Sequence, residues 1–305
     1  MIKRTLYFTN PAYLSLRHGQ LVIELRDQRG SPGDTTTRPI EDIGLILIEN
    51  RQITLSAALL ACLSERNVAV AVCDERHMPA GLLLPMVGNS VMTERIKAQI
   101  DSSQPLRKQL WQQTIIAKVS NQATVLNLTS AAEIGCMTKW ATQVTSGDTT
   151  NIEARAAVYY WKNLFPHHAD FTREQDGLDI INSMLNYGYA ILRAVIARSL
   201  VGSGLHPAIG IFHRNRYNAF CLADDVMEPY RPIVDRLVYE LIFENPDIGD
   251  LSSSIKQKLL QIPVIDVRIG RICRPLMIAA TMTSASLARC FSGESRKLVY
   301  PHIIP

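Results

Sequence analysis

The chain of 305 residues is 47% apolar, has a mean hydropathy of +0.04 and carries a net charge of +4, the composition of an ordinary soluble protein long enough for two domains. Its most apolar stretches are short or interrupted: IGLILI is brief, and Leu185–Leu200 contains Arg193 and Arg198, so no transmembrane helix and no membrane partner are expected. Six cysteines (62, 73, 136, 221, 273 and 290) form no CxxC pair, which predicts buried reduced thiols in a cytoplasmic protein rather than a disulfide or zinc framework.

The chain opens MIKRTLYFTNP, where Pro11 and the lack of a long apolar run argue against a signal peptide. In AYLSLRHGQLVIEL, Ala12, Leu14 and Leu16 share a face, His18-Gly19 turns the chain, and Leu21, Ile23 and Leu25 share a face on the return. Period two on both sides of a turn predicts a hairpin. IGLILIE (43–49) and VAVAVCD (68–74) read as buried strands, and AGLLLPM (80–86) as the last one. Between them TLSAALLACLSERN has helical spacing, with Thr54 or Ser56 available as its cap. One helix among many strands predicts a small β-sandwich-like domain over residues 1–86, followed by a linker at 87–90.

Beyond the linker the strand pattern stops. Helical patterns cover Glu94–Ile100, Leu106–Leu126, Ala131–Val144, Asn151–Phe165, Leu178–Val201, Pro232–Phe243, Leu251–Leu260 and Val267–Phe291. The expected fold class is therefore α+β, with the β domain followed by an all-α-helical domain over 91–305.

Charge is unevenly placed. Residues 1–90 hold nine basic and nine acidic side chains, so the excess lies beyond them. Between Ile180 and Ala223 there are four arginines, two histidines and no acid, and from Val267 onward six Lys/Arg stand against Glu294 alone. Such clustering suits a polyanion.

Three segments carry residue types suited to metal and phosphate chemistry. In TTNIEARAAVYYW, Thr150 or Asn151 can cap a helix, placing Glu153 in the first turn, where the dipole favours a carboxylate; taken alone, Glu153 reads as a capping acid. In GSGLHPAIGIFHRNRYNAF, glycines and Pro207 end a helix, and the chain is expected to run extended to His213, followed by Arg214 and Arg216. In LADDVMEPYRP, a helical turn at Ala223–Met227 puts Asp225 and Glu228 on one face, while Asp224 points away as a solvated acid. Two acids plus an imidazole make a mixed N/O set suited to Mn²⁺ or Mg²⁺.

GLHPAIGIFH followed by LADDVMEPYRP and VDR resembles the core signature of the CRISPR adaptation integrase, the universal metal-dependent endonuclease of spacer acquisition. NIEARAA, INSMLNYGYAILRA and the N-terminal IEDIGLILIEN, VAVAVCDE and PAGLLLP match the same family in the same order, and the compact chain resembles its type II branch. The resemblance implies an N-terminal β domain used for dimerisation, a helical catalytic domain and a homodimer. It places the metal ligands on Glu153, His213 and Glu228, with Asp225 as supporting catalytic acid and Mg²⁺ or Mn²⁺ as cofactor. Many relatives carry Asp where Glu228 stands; His206 receives no role. The partners implied are double-stranded DNA, a small companion subunit and the accessory and effector proteins of a type II system. Arg193, Arg214 and Arg231 are candidates to hold DNA phosphates. The chemistry implied is insertion of foreign DNA as new spacers, a 3′-hydroxyl attacking a phosphodiester of the repeat. The alternatives are a non-catalytic DNA-binding scaffold of the same fold, against which all three ligand positions argue, and a hydrolase of small phosphoesters, against which the basic tracts argue.

Overall fold

The computed structural model describes residues 3–27, 30–130, 132–168, 171–175 and 177–304. The order of its first elements is β1 (Arg4–Phe8), β2 (Ala12–Arg17), β3 (Gln20–Arg26), β4 (Pro32–Pro39), β5 (Ile43–Ile48), β6 (Thr54–Leu55), α1 (Ala57–Glu65), β7 (Ala69–Cys73) and β8 (Pro79–Leu83). They form two four-stranded sheets, ordered β1-β5-β7-β8 and β4-β3-β2-β6. The hairpin β2–β3 pairs Leu14 with Ile23 and Leu16 with Leu21, turning through His18 and Gly19, both at positive φ. Ser56, rather than Thr54, caps α1 by accepting from the Leu59 amide. The polar strand β4 (PGDTTTRP) carries no apolar alternation; it is an exposed edge that pairs with β3.

The sheet β1-β5-β7-β8 is covered on both faces. Ile43, Ile46 and Ile48 of β5 pack with Leu14, Leu21, Leu59 and Leu63 against the second sheet and α1. Leu45 and Leu47, which alternate with Ile46 and Ile48, join Ala69 and Ala71 in the large core of the helical part. β1, β5 and β7 run parallel, and parallel strands buried on two faces read as unbroken apolar runs.

Among the described residues eight helices follow before residue 266: α2 (Met92–Ile100), α3 (Gln104–Thr129), α4 (Gly135–Gln143), α5 (Ile152–Leu164), α6 (Ile180–Gly202), α7 (Cys221–Met227), α8 (Arg231–Glu244) and α9 (Ser253–Leu259), with a 3-10 turn at Glu228–Tyr230 between α7 and α8. The expected start of the Ala131–Val144 helix lies outside the described residues; the helix there runs from Gly135. α6 has the length and hydropathy of a membrane span, but most of it is buried in the fold against α7, α8 and α10 (Leu276–Phe291).

The expectation of an all-α-helical second part is corrected. Residues 267–275, expected to be helix, form the hairpin β9 (Asp266–Ile269) and β10 (Ile272–Pro275), turning at Gly270 with φ 61°. β11 (Pro301–His302) pairs with β9, giving an antiparallel sheet ordered β10-β9-β11. DVRI alternates exposed and buried residues with period two, and helix resumes only after Pro275. The six cysteines are free thiols.

Candidate active site

α3, α5 and the turn after α7 meet along the centre of the helical part, and they bring together residues far apart in the chain. At the start of α5, Asn151 holds the N-cap position without a side-chain bond, and the capping contact comes from Asp148, whose carboxylate accepts from the Ile152 and Glu153 amides, each at 2.9 Å. That contact seats Glu153 in the first helical turn, facing α3. From α3, Lys118 Nζ lies 2.7 Å from Glu153 Oε1 and 2.6 Å from Glu228 Oε2. Two carboxylates separated by 75 positions in sequence thus share one cation.

Glu228 is buried, and its Oε1 accepts from Arg231 Nε at 2.8 Å. Burial would push its carboxyl up, but the charges of Arg231 and Lys118 pull it down to about 2. Burial likewise opposes the charge on Lys118, and Glu228 and Glu153 override it, raising the ammonium above its ordinary value. Lys118 thus reaches a buried Glu228 oxygen for which no other donor is found among the described residues.

His213 sits on an irregular loop, correcting the expected extended run: residues 203–220 turn repeatedly. The loop is held from three sides. Gln99 of α2 bonds the His206 and Ile209 carbonyls and the His206 amide. Trp111 of α3 stacks on Phe212 with ring centroids 4.2 Å apart and meets His213 edge-on. Asp225, 0% exposed, accepts from the amides of Ile211 (2.6 Å), Phe212 (2.9 Å) and His213 (3.2 Å) and pairs with His213 Nδ1 at 2.5 Å. Gly210 has to be glycine here, because a Cβ would lie 2.4 Å from the His213 carbonyl oxygen and 2.9 Å from Asp225 Oδ2. The Asp225 bond raises the imidazole pKa above its ordinary value, against burial. Because a carboxylate only accepts, Nδ1 is the donor, which leaves the neutral ring's Nε2 lone pair for a ligand.

His213 and Glu228 line one polar groove of about 810 Å³, together with Arg173, Arg193, Arg231, Tyr217 and Asn218. Asp224 is not the solvated acid expected from its helical position: it is 7% exposed, paired with Arg193 Nε at 2.7 Å and bonded by Asn218. Arg193 and Arg231 therefore reach the groove already anchored to carboxylates. Arg214 lies on a shallower face with Arg107 and Arg216. His206 accepts from the Ala208 amide and stays local.

Glu153 and Glu228 thus converge, His213 shares the groove with Glu228, and Asp225 organises the histidine loop. Among the described residues no three His, Cys, Asp or Glu side chains are gathered closely enough to form a ready metal cage. Lys118, Asp148 and Trp111 were missed by sequence reasoning. A lysine inside the apolar face of Leu106–Leu126 was the available signal for the first; Asp148 lay two residues before the cap positions considered, in the same loop.

The family model described as "CRISPR associated protein Cas1" matches residues 6–246. A CRISPR-associated endonuclease Cas1 from Neisseria meningitidis serogroup C (strain 8013) is 37% identical over 310 aligned residues, covering 100% of this chain and 98% of the relative. A casposase bound to an integration product superposes with a TM-score of 0.79 at 21% identity, covering 98% of this chain and 92% of the other. A chain of a Cas6-RT-Cas1–Cas2 complex gives 0.73 at 18% identity, covering 97% of this chain and 36% of that longer one.

Proposed function

The chain belongs to the CRISPR-associated Cas1 family; from that premise we propose that it is an endonuclease and integrase of spacer acquisition, and that Glu153, Glu228 and His213 hold a Mg²⁺ or Mn²⁺ ion on which its phosphodiester chemistry depends. The observation that carries this reading is the meeting of Glu153 and Glu228 around a single cation position beside the groove. The donor set fits a hard divalent ion: two carboxylates that meet at one cation position, and an imidazole whose Nε2 is left free. A bound ion of this kind would supply Lewis-acid polarisation of the scissile phosphate and stabilise charge on the leaving oxygen.

The chain's own residues do the rest. Asp225 keeps His213 in one tautomer and one orientation. Asp224 and Glu228 hold the guanidinium groups of Arg193 and Arg231 at the groove, where their remaining N–H donors can bind phosphate oxygens. In transfer, the 3′-oxygen of an incoming DNA fragment forms a bond to the repeat phosphorus as the repeat's own P–O3′ bond breaks; in nicking, water takes the place of the fragment.

In this reading the partners are double-stranded DNA, a second copy of the chain docked through the N-terminal β domains, and a small companion subunit, together with type II accessory and effector proteins in a cytoplasmic setting. Support comes from the integration product held by the casposase and the Cas2 beside the other structural relative. The test is joining of a duplex with free 3′-ends to a repeat-bearing plasmid, with companion subunit and Mn²⁺ present. Alanine at Glu153, His213 or Glu228 should each abolish joined product, and combining them should cost little more than one alone, because the three act as a unit. Wild-type joining by Glu228→Ala would overturn the ligand assignment. Light scattering should give a dimer mass at all working concentrations; a concentration-independent monomer would remove the homodimer.

A further inference from the structure

We propose that Lys118 is a built-in stand-in for the metal: its ammonium bridges Glu153 and Glu228 in the metal-free protein and must leave that position when a divalent ion enters. The inference rests on the proposed assignment of those carboxylates as ligands.

Two acids brought together in a buried place repel unless a cation lies between them. Lys118 supplies it from the buried face of α3, with Nζ 2.7 Å from one carboxylate and 2.6 Å from the other. A lysine ammonium is a compact point charge on a flexible four-carbon stem, so it can mimic a cation and still move away. At these two distances the ammonium sits where a single ion touching both carboxylates would sit.

The carboxylates do not depend on Lys118 for their backbone positions. Asp148 seats the start of α5 at Glu153. Asn121, one turn beyond Lys118, donates to the Pro229 and Pro301 carbonyls at 2.7 and 3.0 Å and ties the Glu228 turn to α3. Arg231 holds the other Glu228 oxygen. The ammonium can therefore withdraw without dismantling the site.

The occupied and vacated states compete, which lowers the apparent metal affinity by the fraction of protein in the vacated state. If the bridged state holds roughly 90–99% of the metal-free protein, removing the ammonium should tighten Mn²⁺ binding by roughly 10–100-fold. The experiment is calorimetric Mn²⁺ titration of wild type, Lys118→Met and Lys118→Arg, with melting curves in chelator. The Met variant should melt lower than wild type in chelator, bind Mn²⁺ at least about tenfold more tightly and gain more stability from it; the Arg variant should keep wild-type stability in chelator. Equal or weaker Mn²⁺ binding by a folded Lys118→Met overturns the stand-in while leaving the ligand assignment intact. Should that variant not fold, a structure of wild type with Mn²⁺ decides: Lys118 Nζ displaced from between the carboxylates supports the proposal, and an ion bound with Nζ unmoved overturns it. No Mn²⁺ at Glu153 and Glu228 in any form overturns both the stand-in and the metal site.

Discussion

Replacing Asp225 with Asn tests how the histidine is positioned. The carboxylate accepts four hydrogen bonds, two on each oxygen. Asn has one oxygen, which is best kept facing the Ile211 and Phe212 amides, since an NH₂ there would confront two backbone donors. The NH₂ then faces the His213 amide and Nδ1. The amide contact is lost, and Nδ1 can be satisfied only as an acceptor, which moves the ring proton to Nε2. Hydrogen bonds to a charged acceptor contribute about 1.5–3 kcal/mol each, so the loss of one and weakening of others should cost about 3 kcal/mol. For a chain of this length that corresponds to a fall in Tm of roughly 5 °C. A protonated Nε2 cannot ligate a metal, so Mn²⁺ affinity and strand transfer should fall about 10–100-fold, with partial recovery at high Mn²⁺. The assays are differential scanning fluorimetry, Mn²⁺ titration and plasmid integration across a Mn²⁺ series, with Glu228→Ala beside it as the variant that should not recover. Wild-type Tm and Mn²⁺ affinity in Asp225→Asn would refute the tautomer argument. A dead Asp225→Asn beside an active Glu228→Ala would mean that Asp225 is the ligand.

Three other outcomes follow from particular contacts. Asp235, buried and bonded by Tyr160 and Tyr189, has its carboxyl pushed up to about 7 by burial, against the two tyrosine bonds. Its folded value lies above the unfolded one, so its contribution to stability is complete below pH ~4 and is lost as pH rises through about 7. Asp235→Asn should therefore gain Tm relative to wild type between pH 4 and 8, and a constant difference across that range would sink the assignment. Asp148→Ala removes the cap of α5 and should cost about 1–2 kcal/mol in denaturant unfolding; an unchanged midpoint would show that the cap contributes nothing. DNA affinity of this subunit alone should be insensitive to sequence, and its logarithm should fall steeply with the logarithm of salt. Flat binding between low and physiological salt would count against phosphate contacts from the basic groove.

The elements that periodicity marked strongly were legible without coordinates. The β2–β3 hairpin, the buried strands at 43–48 and 69–73, and the long helices around 104–129 and 180–202 all follow from local residue order. Elements lacking an apolar pattern were not. Polar β4 forms only because β3 offers an edge, and the short hairpin at 266–275 was masked by the apolar helix that follows it.

For the site, residue types and spacing singled out His213, Asp225 and Glu228 as candidates, because those signals lie along the chain, whereas Glu153 read as a capping acid until the resemblance gave it a role. How they are held does not lie along the chain. Asp225 faces its loop rather than sharing a task with Glu228, and Asp224 is consumed by Arg193, because helix geometry predicts a direction but not the partner found there. Lys118 belongs to the site only because α3 passes between α5 and the turn at Glu228. Even IGLILI conceals its role in sequence. An unbroken apolar strand tells that both faces are buried, while folding decides that Ile46 faces one core and Leu47 the other. Local propensity acts within a few residues, whereas a buried charge needs a partner that only the packing of distant segments can supply.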